Sequence, residues 1–284
     1  MKKVLIIGSG PSGISAALYL KRSGKIDVTV ISNGSSALSK AEKIENYYGV
    51  EPVSGAELEK RGIENAKKLG VNFITGQVVS LSFDENMKPV VITSTENYNA
   101  DAVILATGAS RKTPNIKGLA ELEGKGISYC AVCDAFFYRN KDVCVIGSGE
   151  YAVHEAQTLK PIAKSVTILT NGIAPTVEIP DGIAVNTAKI ASVNGTDFVT
   201  SVTFEDGTEL PVSGVFIAIG VAGSTDLARK IGIELDGNKI KVNEDKMTNI
   251  PGIYGAGDCT GGLLQISKAV YDGATAALSI IRNS

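Results

Sequence analysis

Apolar residues in this chain fall into short unbroken runs that stop at glycine, separated by segments of helical period. Val4-Leu5-Ile6-Ile7 is the first run and ends at Gly8. A strand buried on both faces reads this way, because neither face meets water. Residues 12–22 follow with Ile14, Ala17, Leu18 and Lys21 at helical spacing, and residues 28–31 form the next apolar run. The opening is therefore a βαβ unit. The same order recurs downstream as a strand over 143–146, a glycine turn, a helix over 151–159 and a strand over 166–169. Two such units predict an α/β fold with two Rossmann-like, doubly wound dinucleotide-binding domains.

Between and after these units the pattern is simpler. Residues 90–93 alternate, and an apolar strand over 102–106 ends at Thr107-Gly108-Ala109. A similar run over 214–219 ends at Gly220. Ile253-Tyr254-Gly255-Ala256-Gly257-Asp258 then precedes an Ala-rich helical segment reaching Arg282. The expected crossing points lie near Pro114 and near Asn249-Ile250-Pro251.

Composition narrows the class. Of 284 residues, 44% are hydrophobic and 20% charged, which is enough apolar mass for more than one core. A net charge of −2 excludes a general attraction to nucleic acid. No apolar run approaches the roughly 18 residues that span a bilayer. Met1-Lys2-Lys3 mimics the basic front of a signal peptide, but the apolar run after it stops short of the about 7–15 residues of a signal core. A cytoplasmic location is expected, where thiols stay reduced. The four cysteines are then no disulfide framework, and a CxxC among them is catalytic or metal-binding.

Two motifs carry chemistry. Gly8-Ser9-Gly10-Pro11-Ser12-Gly13 is a GxGxxG placed after a strand and opening a helix. Its glycines permit a tight turn and close backbone approach, so the helix start can hold a pyrophosphate. The acid that grips a ribose in the full fingerprint is missing, since the next strand ends at Ser32-Asn33. Cys130-Ala131-Val132-Cys133-Asp134 brings two sulfurs within bonding reach and lowers the pKa of one thiol. A zinc half-site is the competing reading, but there is no second CxxC and the lone His154 falls in a helical segment. Cys144 lies in an expected buried strand and Cys259 in a distant glycine turn. Asp134 either carries the proton that thiol exchange needs or is a plain surface or capping aspartate.

These motifs, with Glu45-Asn46-Tyr47-Tyr48-Gly49, Ala106-Thr107-Gly108-Ala109, the aromatic run Phe136-Phe137-Tyr138 and Gly257-Asp258, occur in the order found in low-molecular-weight thioredoxin reductases. The resemblance covers almost the whole chain. It implies an FAD domain split between residues 1–113 and 246–284, an inserted domain over 114–245 that carries the cysteines, and a homodimer with thioredoxin as substrate. It also implies that Gly8, Ser9, Gly10, Pro11, Ser12 and Gly13 hold FAD, together with Ala106, Thr107 and Gly108. By the same resemblance Asn46 lies by the isoalloxazine, Asp258 binds the ribityl chain, and Gln265 and Ile266 close over the flavin. Cys130 would attack the partner disulfide, Cys133 would face the flavin, and Asp134 would be the acid–base residue.

The chain departs from the family's usual members where those bind NADPH. The second glycine turn, Gly147-Ser148-Gly149-Glu150, puts a carboxylate at the helix start where a pyrophosphate would dock. The next strand ends at Leu169-Thr170-Asn171-Gly172, without the bases that pair with a 2′-phosphate. From 165 to 228 there is one base, Lys189, against seven acids, whereas a phosphate needs charge-assisted partners worth about 1.5–3 kcal/mol each. Val221-Ala222-Gly223-Ser224-Thr225 also replaces the family's motif. Bases could still arrive from Arg229-Lys230 or Arg111-Lys112. The pattern most resembles the ferredoxin-dependent flavin thioredoxin reductases. A ferredoxin near about −400 mV can reduce a thioredoxin-like disulfide near about −270 mV, a two-electron drop of roughly 6 kcal/mol. Lys40, Lys43, Lys60-Arg61 and Lys67-Lys68 are candidates for a basic docking face, or are ordinary solvated surface. An NADPH-reduced enzyme with an unusual site and a non-catalytic redox sensor are the rival readings.

Overall fold

The computed structural model describes residues 1–284 except 35, 109–113, 221–222 and 284. It opens with β1 (Lys2–Ile7), α1 (Pro11–Arg22) and β2 (Ile26–Ser32). Pro11 suits the first position of α1, where its fixed φ is helical and its missing N–H costs nothing. Lys21 and Arg22 end the helix beside its open carbonyls. Next comes α2 (Gly55–Lys68), capped by Ser54, whose hydroxyl accepts from the Glu57 amide at 3.2 Å.

With β3 (Asn72–Thr75), β7 (Ala102–Leu105) and β18 (Ile253–Gly255), these strands form a parallel sheet in the order β18-β7-β1-β2-β3. Leu5 stands between Thr29 and Val103. α6 (Ile266–Arg282) packs on α1, and a Cβ at Gly273 would fall 2.0 Å from the Ser12 carbonyl oxygen. Only a residue without a side chain lets the two backbones meet so closely. Val4, Ile6, Leu20, Val30, Ile104 and Ala277 join in the core between sheet and helices. A separate antiparallel sheet holds β4 (Val78–Phe83), β5 (Pro89–Thr93) and β6 (Asn97–Asn99).

The motif repeats in β9 (Asp142–Ile146), α4 (Glu150–Leu159) and β10 (Ser165–Leu169). β8 (Ile127–Ser128), β11 (Ala184–Asn186) and β15 (Gly214–Ile217) complete a second parallel sheet, ordered β11-β10-β9-β15-β8. Beside it lies an antiparallel sheet of β12 (Ile190–Gly195), β13 (Val199–Phe204) and β14 (Glu209–Pro211). A single helical turn, α3 (Ala131–Asp134), follows β8.

The chain divides into two compact units, Met1–Arg111 with Gly223–Ser284, and Lys112–Ala222. Its return to the first unit comes at Gly223, earlier than the expected 246. The reason lies in α5 (Ser224–Lys230) and the ribbon of β16 (Leu235–Asp236) and β17 (Lys239–Ile240). The Lys230 ammonium donates to the Val79 carbonyl of β4 at 2.9 Å. Ile240 and Val242 pack against Gly255 of β18, so these residues bury their apolar side in the first unit. No described helix is long and apolar enough to cross a membrane.

Candidate active site

In the first unit the turn after β1 is built for a backbone-bound anion. Gly8 has φ 113°, and a Cβ there would fall 2.3 Å from the Ala106 carbonyl oxygen. A Cβ at Gly13 would fall 2.0 Å from the Gly8 carbonyl oxygen. Gly10, which opens α1, is less crowded, since a Cβ there would meet the Ser36 side chain at an ordinary contact distance of 3.4 Å. No side chain caps α1 and no acid stands in its first turn, which leaves its first amides to a phosphate. Ser9 donates to the Gly34 carbonyl at 3.3 Å, and the buried Glu59 accepts from the Ser36 amide at 2.7 Å. Ser12 packs on Gly257. The Thr107 hydroxyl, beside Ala106 and Gly108, is buried and has no hydrogen-bond partner among the described residues. Ala109 lies outside the described residues.

The Gly257-Asp258 turn is held by a buried charge cluster that sequence reasoning missed. Asp272 of α6 is 1% exposed. It pairs with Lys246 at 2.8 Å and Lys268 at 2.7 Å, and accepts from the Gly257 amide at 3.1 Å. Lys268 also donates to the Gly257 carbonyl at 2.7 Å, and Lys239 to the Asp258 carbonyl at 3.3 Å. Burial pushes the Asp272 carboxyl up, but hydrogen bonds from both lysines and the Gly257 amide outweigh it and hold the group below its usual value. Near this turn the Asn46 amide donates to the Gln265 side-chain oxygen at 3.4 Å, and Ile266 opens α6 half-buried. The fold thus brings together Gly8 to Gly13, Ala106 to Gly108 and Gly257-Asp258. It joins Asn46 to Gln265. A tight glycine turn, uncapped helix amides and a buried hydroxyl unpaired among the described residues suit an adenine dinucleotide such as FAD.

In the second unit Cys130 and Cys133 form a disulfide, with Cα atoms 5.3 Å apart. Cys130 is the residue before α3, and its sulfur accepts from the Cys133 amide at 3.2 Å. Cys130 is buried and Cys133 exposed. Ser128 accepts from the Cys130 amide at 3.1 Å and donates to Asp134 at 2.6 Å. Asp134 therefore reaches the cysteine turn through Ser128, a link its sequence position did not reveal. Val132, Phe136 and Phe137 leave apolar surface exposed along the same stretch, the two phenylalanines at 71% and 68%. The remaining cysteines, Cys144 and Cys259, are buried. Burial pushes the Cys144 thiol up, and burial likewise pushes Cys259 up to about 12.

The second glycine turn is a different object from the first. The Thr176 amide and hydroxyl both donate to the Ser148 carbonyl, at 2.8 and 3.1 Å. A Cβ at Gly149 would fall 3.2 Å from the Thr176 hydroxyl. The segment after β10 thus lies on the turn, and Glu150 stands in the first turn of α4. Lys189 packs on Gly172 with its ammonium 3.9 Å from Glu205. Of the alternative bases, Lys230 is engaged at Val79, while Arg111 and Lys112 lie outside the described residues. Along α2 and the segment before it, Lys43 pairs with Glu45, Arg61 with Glu57, and Lys67 lies over Phe73, while Lys40, Lys60 and Lys68 are exposed.

Two parallel sheets with glycine turns, one suited to a flavin dinucleotide, and a CxxC disulfide define a flavin-dependent disulfide reductase. The chain belongs to the pyridine nucleotide-disulphide oxidoreductase family, whose model matches residues 2–273. Within that family its relatives are thioredoxin reductases, FAD flavoproteins that reduce thioredoxin. It is 35% identical to the thioredoxin reductase of Bacillus subtilis (strain 168), over 98% of this chain and 93% of the relative. The structure of an atypical thioredoxin reductase, TRi, from Desulfovibrio vulgaris Hildenborough matches with TM-score 0.93 and 39% identity, over 99% of this chain and 97% of that one. A ferredoxin-flavin thioredoxin reductase from Clostridium acetobutylicum matches with TM-score 0.75 and 30% identity, over the same shares.

Proposed function

We propose that this chain passes electrons from reduced ferredoxin through FAD and the Cys130–Cys133 pair to thioredoxin. The observation that carries the choice of donor is the second glycine turn. Thr176 sits against Gly149 and takes the Ser148 carbonyl, Glu150 adds a negative charge at the helix start, and the neighbouring lysine already leans toward Glu205. An incoming pyrophosphate would have to displace Thr176 and tolerate Glu150. The exposed lysines of α2 and the segment before it supply a partly neutralised basic face for an acidic one-electron donor.

Bound FAD would supply the exchange between one-electron and two-electron carriers. Gly8 to Gly13 and the start of α1 hold its pyrophosphate, with Thr107 and Asp258 offering polar contacts. In the reduced pair the Cys130 thiolate attacks one sulfur of the thioredoxin disulfide, forming a mixed disulfide and releasing one thioredoxin thiolate. Cys133 then attacks Cys130, closes the pair and releases the second thiolate. Two electrons move to thioredoxin, and the protons that leave it as a dithiol pass by way of Asp134. Because Cys130 is buried here, this assignment requires it to be uncovered before exchange. Val132, Phe136 and Phe137 offer the apolar surface a protein substrate needs. A homodimer is the proposed assembly, supported by Tyr271 and Leu278, which expose apolar surface two turns apart on α6.

Lys189 beside Gly172 is the observation that favours the other donor, NADPH. Anaerobic mixing of the yellow protein with NADPH, NADH or photoreduced ferredoxin separates the two readings. Ferredoxin alone is expected to bleach the flavin. Prompt bleaching by micromolar NADPH would reverse the choice.

A further inference from the structure

A carboxylate unused in the chemistry above lies beneath the cysteine turn. Glu155 on α4 is 1% exposed, and its Oε2 accepts a 2.7 Å hydrogen bond from the Ala131 amide. Ala131 is the first residue of α3 and follows Cys130 directly. We propose that Glu155 is a positioning residue that sets the reducing power of the Cys130–Cys133 pair by holding a negative charge beside its first turn. The proposal rests on that pair being the working relay, and it is independent of which donor feeds it.

The physical case is a comparison of two oxidation states. The disulfide is neutral, whereas the dithiol delivers electrons as a thiolate. Glu155 and the Cys130 sulfur draw on amides of the same turn, Ala131 for the carboxylate and Cys133 for the sulfur. A carboxylate so near, in a buried setting where charges are poorly screened, raises the free energy of the thiolate but not of the disulfide. The reduced state is thereby disfavoured and the pair becomes a stronger reductant. This inverts the case of an oxidant whose reduced form is stabilised. A neutral residue could satisfy the Ala131 amide equally well, without the cost of burying a charge. Another carboxylate, Asp134, stands on the same turn and would act in the same sense. Asp134 is turned to Ser128, and Tyr151 donates to the Tyr129 carbonyl at 3.4 Å.

The test uses the FAD-loaded protein equilibrated anaerobically with mixtures of reduced and oxidised dithiothreitol at fixed pH. The redox state of Cys130 and Cys133 is read by alkylation and mass spectrometry. Glu155→Gln keeps an oxygen for the Ala131 amide but removes the charge, and should shift the equilibrium about tenfold toward the dithiol, about 30 mV for a two-electron couple. Glu155→Asp keeps the charge and should stay within about threefold of the parent. Glu155→Ala leaves the amide unsatisfied and controls for packing through its melting temperature. A Glu155→Gln equilibrium equal to the parent's, or shifted toward the disulfide, would overturn the proposal. If the parent fails to reduce thioredoxin from any donor, the relay reading fails instead, and the dithiothreitol equilibrium still reports on Glu155.

Discussion

Replacing Asp272 by Asn is the sharpest perturbation of the flavin cradle. The substitution is nearly isosteric and can still accept from the Gly257 amide, so it removes charge rather than shape. It leaves the Lys246 and Lys268 ammoniums, whose side chains are 15% and 18% exposed, without the carboxylate that pairs with both. Removing one partner of a buried ion pair costs about 3–5 kcal/mol, and because both lysines retain some access to water the lower end, about 3 kcal/mol, applies. At about 2 °C per kcal/mol for a chain of this size, the melting temperature should fall by about 6 °C. The Gly257-Asp258 turn should loosen with it, so FAD should dissociate at lower temperature, read as a rise in free-flavin fluorescence.

The pH dependence follows from the direction of the Asp272 shift. Its carboxyl is held below its usual value, so its contribution is fully present above the unfolded pKa of about 3.9 and fades as pH falls through the lower folded value. The gap between parent and Asp272→Asn should therefore be constant from neutral pH down to about 5 and close only below about 4. Circular dichroism melts across that range check both points. A gap under about 1 °C at neutral pH, against the several degrees expected, or one already gone at pH 6, would refute the reasoning.

Two further substitutions probe the two centres separately. Gly10→Val adds a side chain at the start of α1, where its Cβ would meet the Ser36 side chain at an ordinary contact distance of 3.4 Å and its methyls would stand in the approach to the first amides, so the protein should fold with parent-like circular dichroism yet purify colourless. A yellow Gly10→Val protein would move the pyrophosphate elsewhere. Ser128→Ala removes the link between the Cys130 amide and Asp134, and the loss of about 1–1.5 kcal/mol should slow thioredoxin reduction about tenfold while leaving FAD bound. A turnover unchanged within about twofold would show that Asp134 works without Ser128.

Much of the framework was legible because its signals are local. Val4 to Ile7 is buried on both faces and reads as an unbroken apolar run, and the glycines of the first turn sit where backbones nearly touch. Cys130 and Cys133 announce themselves by spacing. What stayed hidden depends on pairing across the chain. Asp272 lies in an Ala-rich helix and gains its meaning only from Lys246 and Gly257, which the fold brings to it. Glu155 looks like any helical glutamate until α4 is laid under α3. Thr176 sits in an irregular stretch with no periodicity, and its contact with Ser148 is invisible along the chain. The early return at Gly223 was missed because α5 is short and half polar, and its attachment to β4 is a tertiary fact. The missing bases after β10, by contrast, could be counted directly, although the contact of Lys189 with Gly172 could not be read from the sequence.

If the second glycine turn cannot serve a nicotinamide nucleotide, one anaerobic titration shows it most directly. FAD-loaded protein is mixed in turn with NADPH and with photoreduced ferredoxin, and flavin absorbance and thioredoxin thiols are followed together. Ferredoxin should bleach the flavin and sustain thioredoxin reduction, while NADPH at micromolar concentration should do neither. Rapid bleaching and turnover with micromolar NADPH would contradict the account and make Lys189 part of a working nucleotide site.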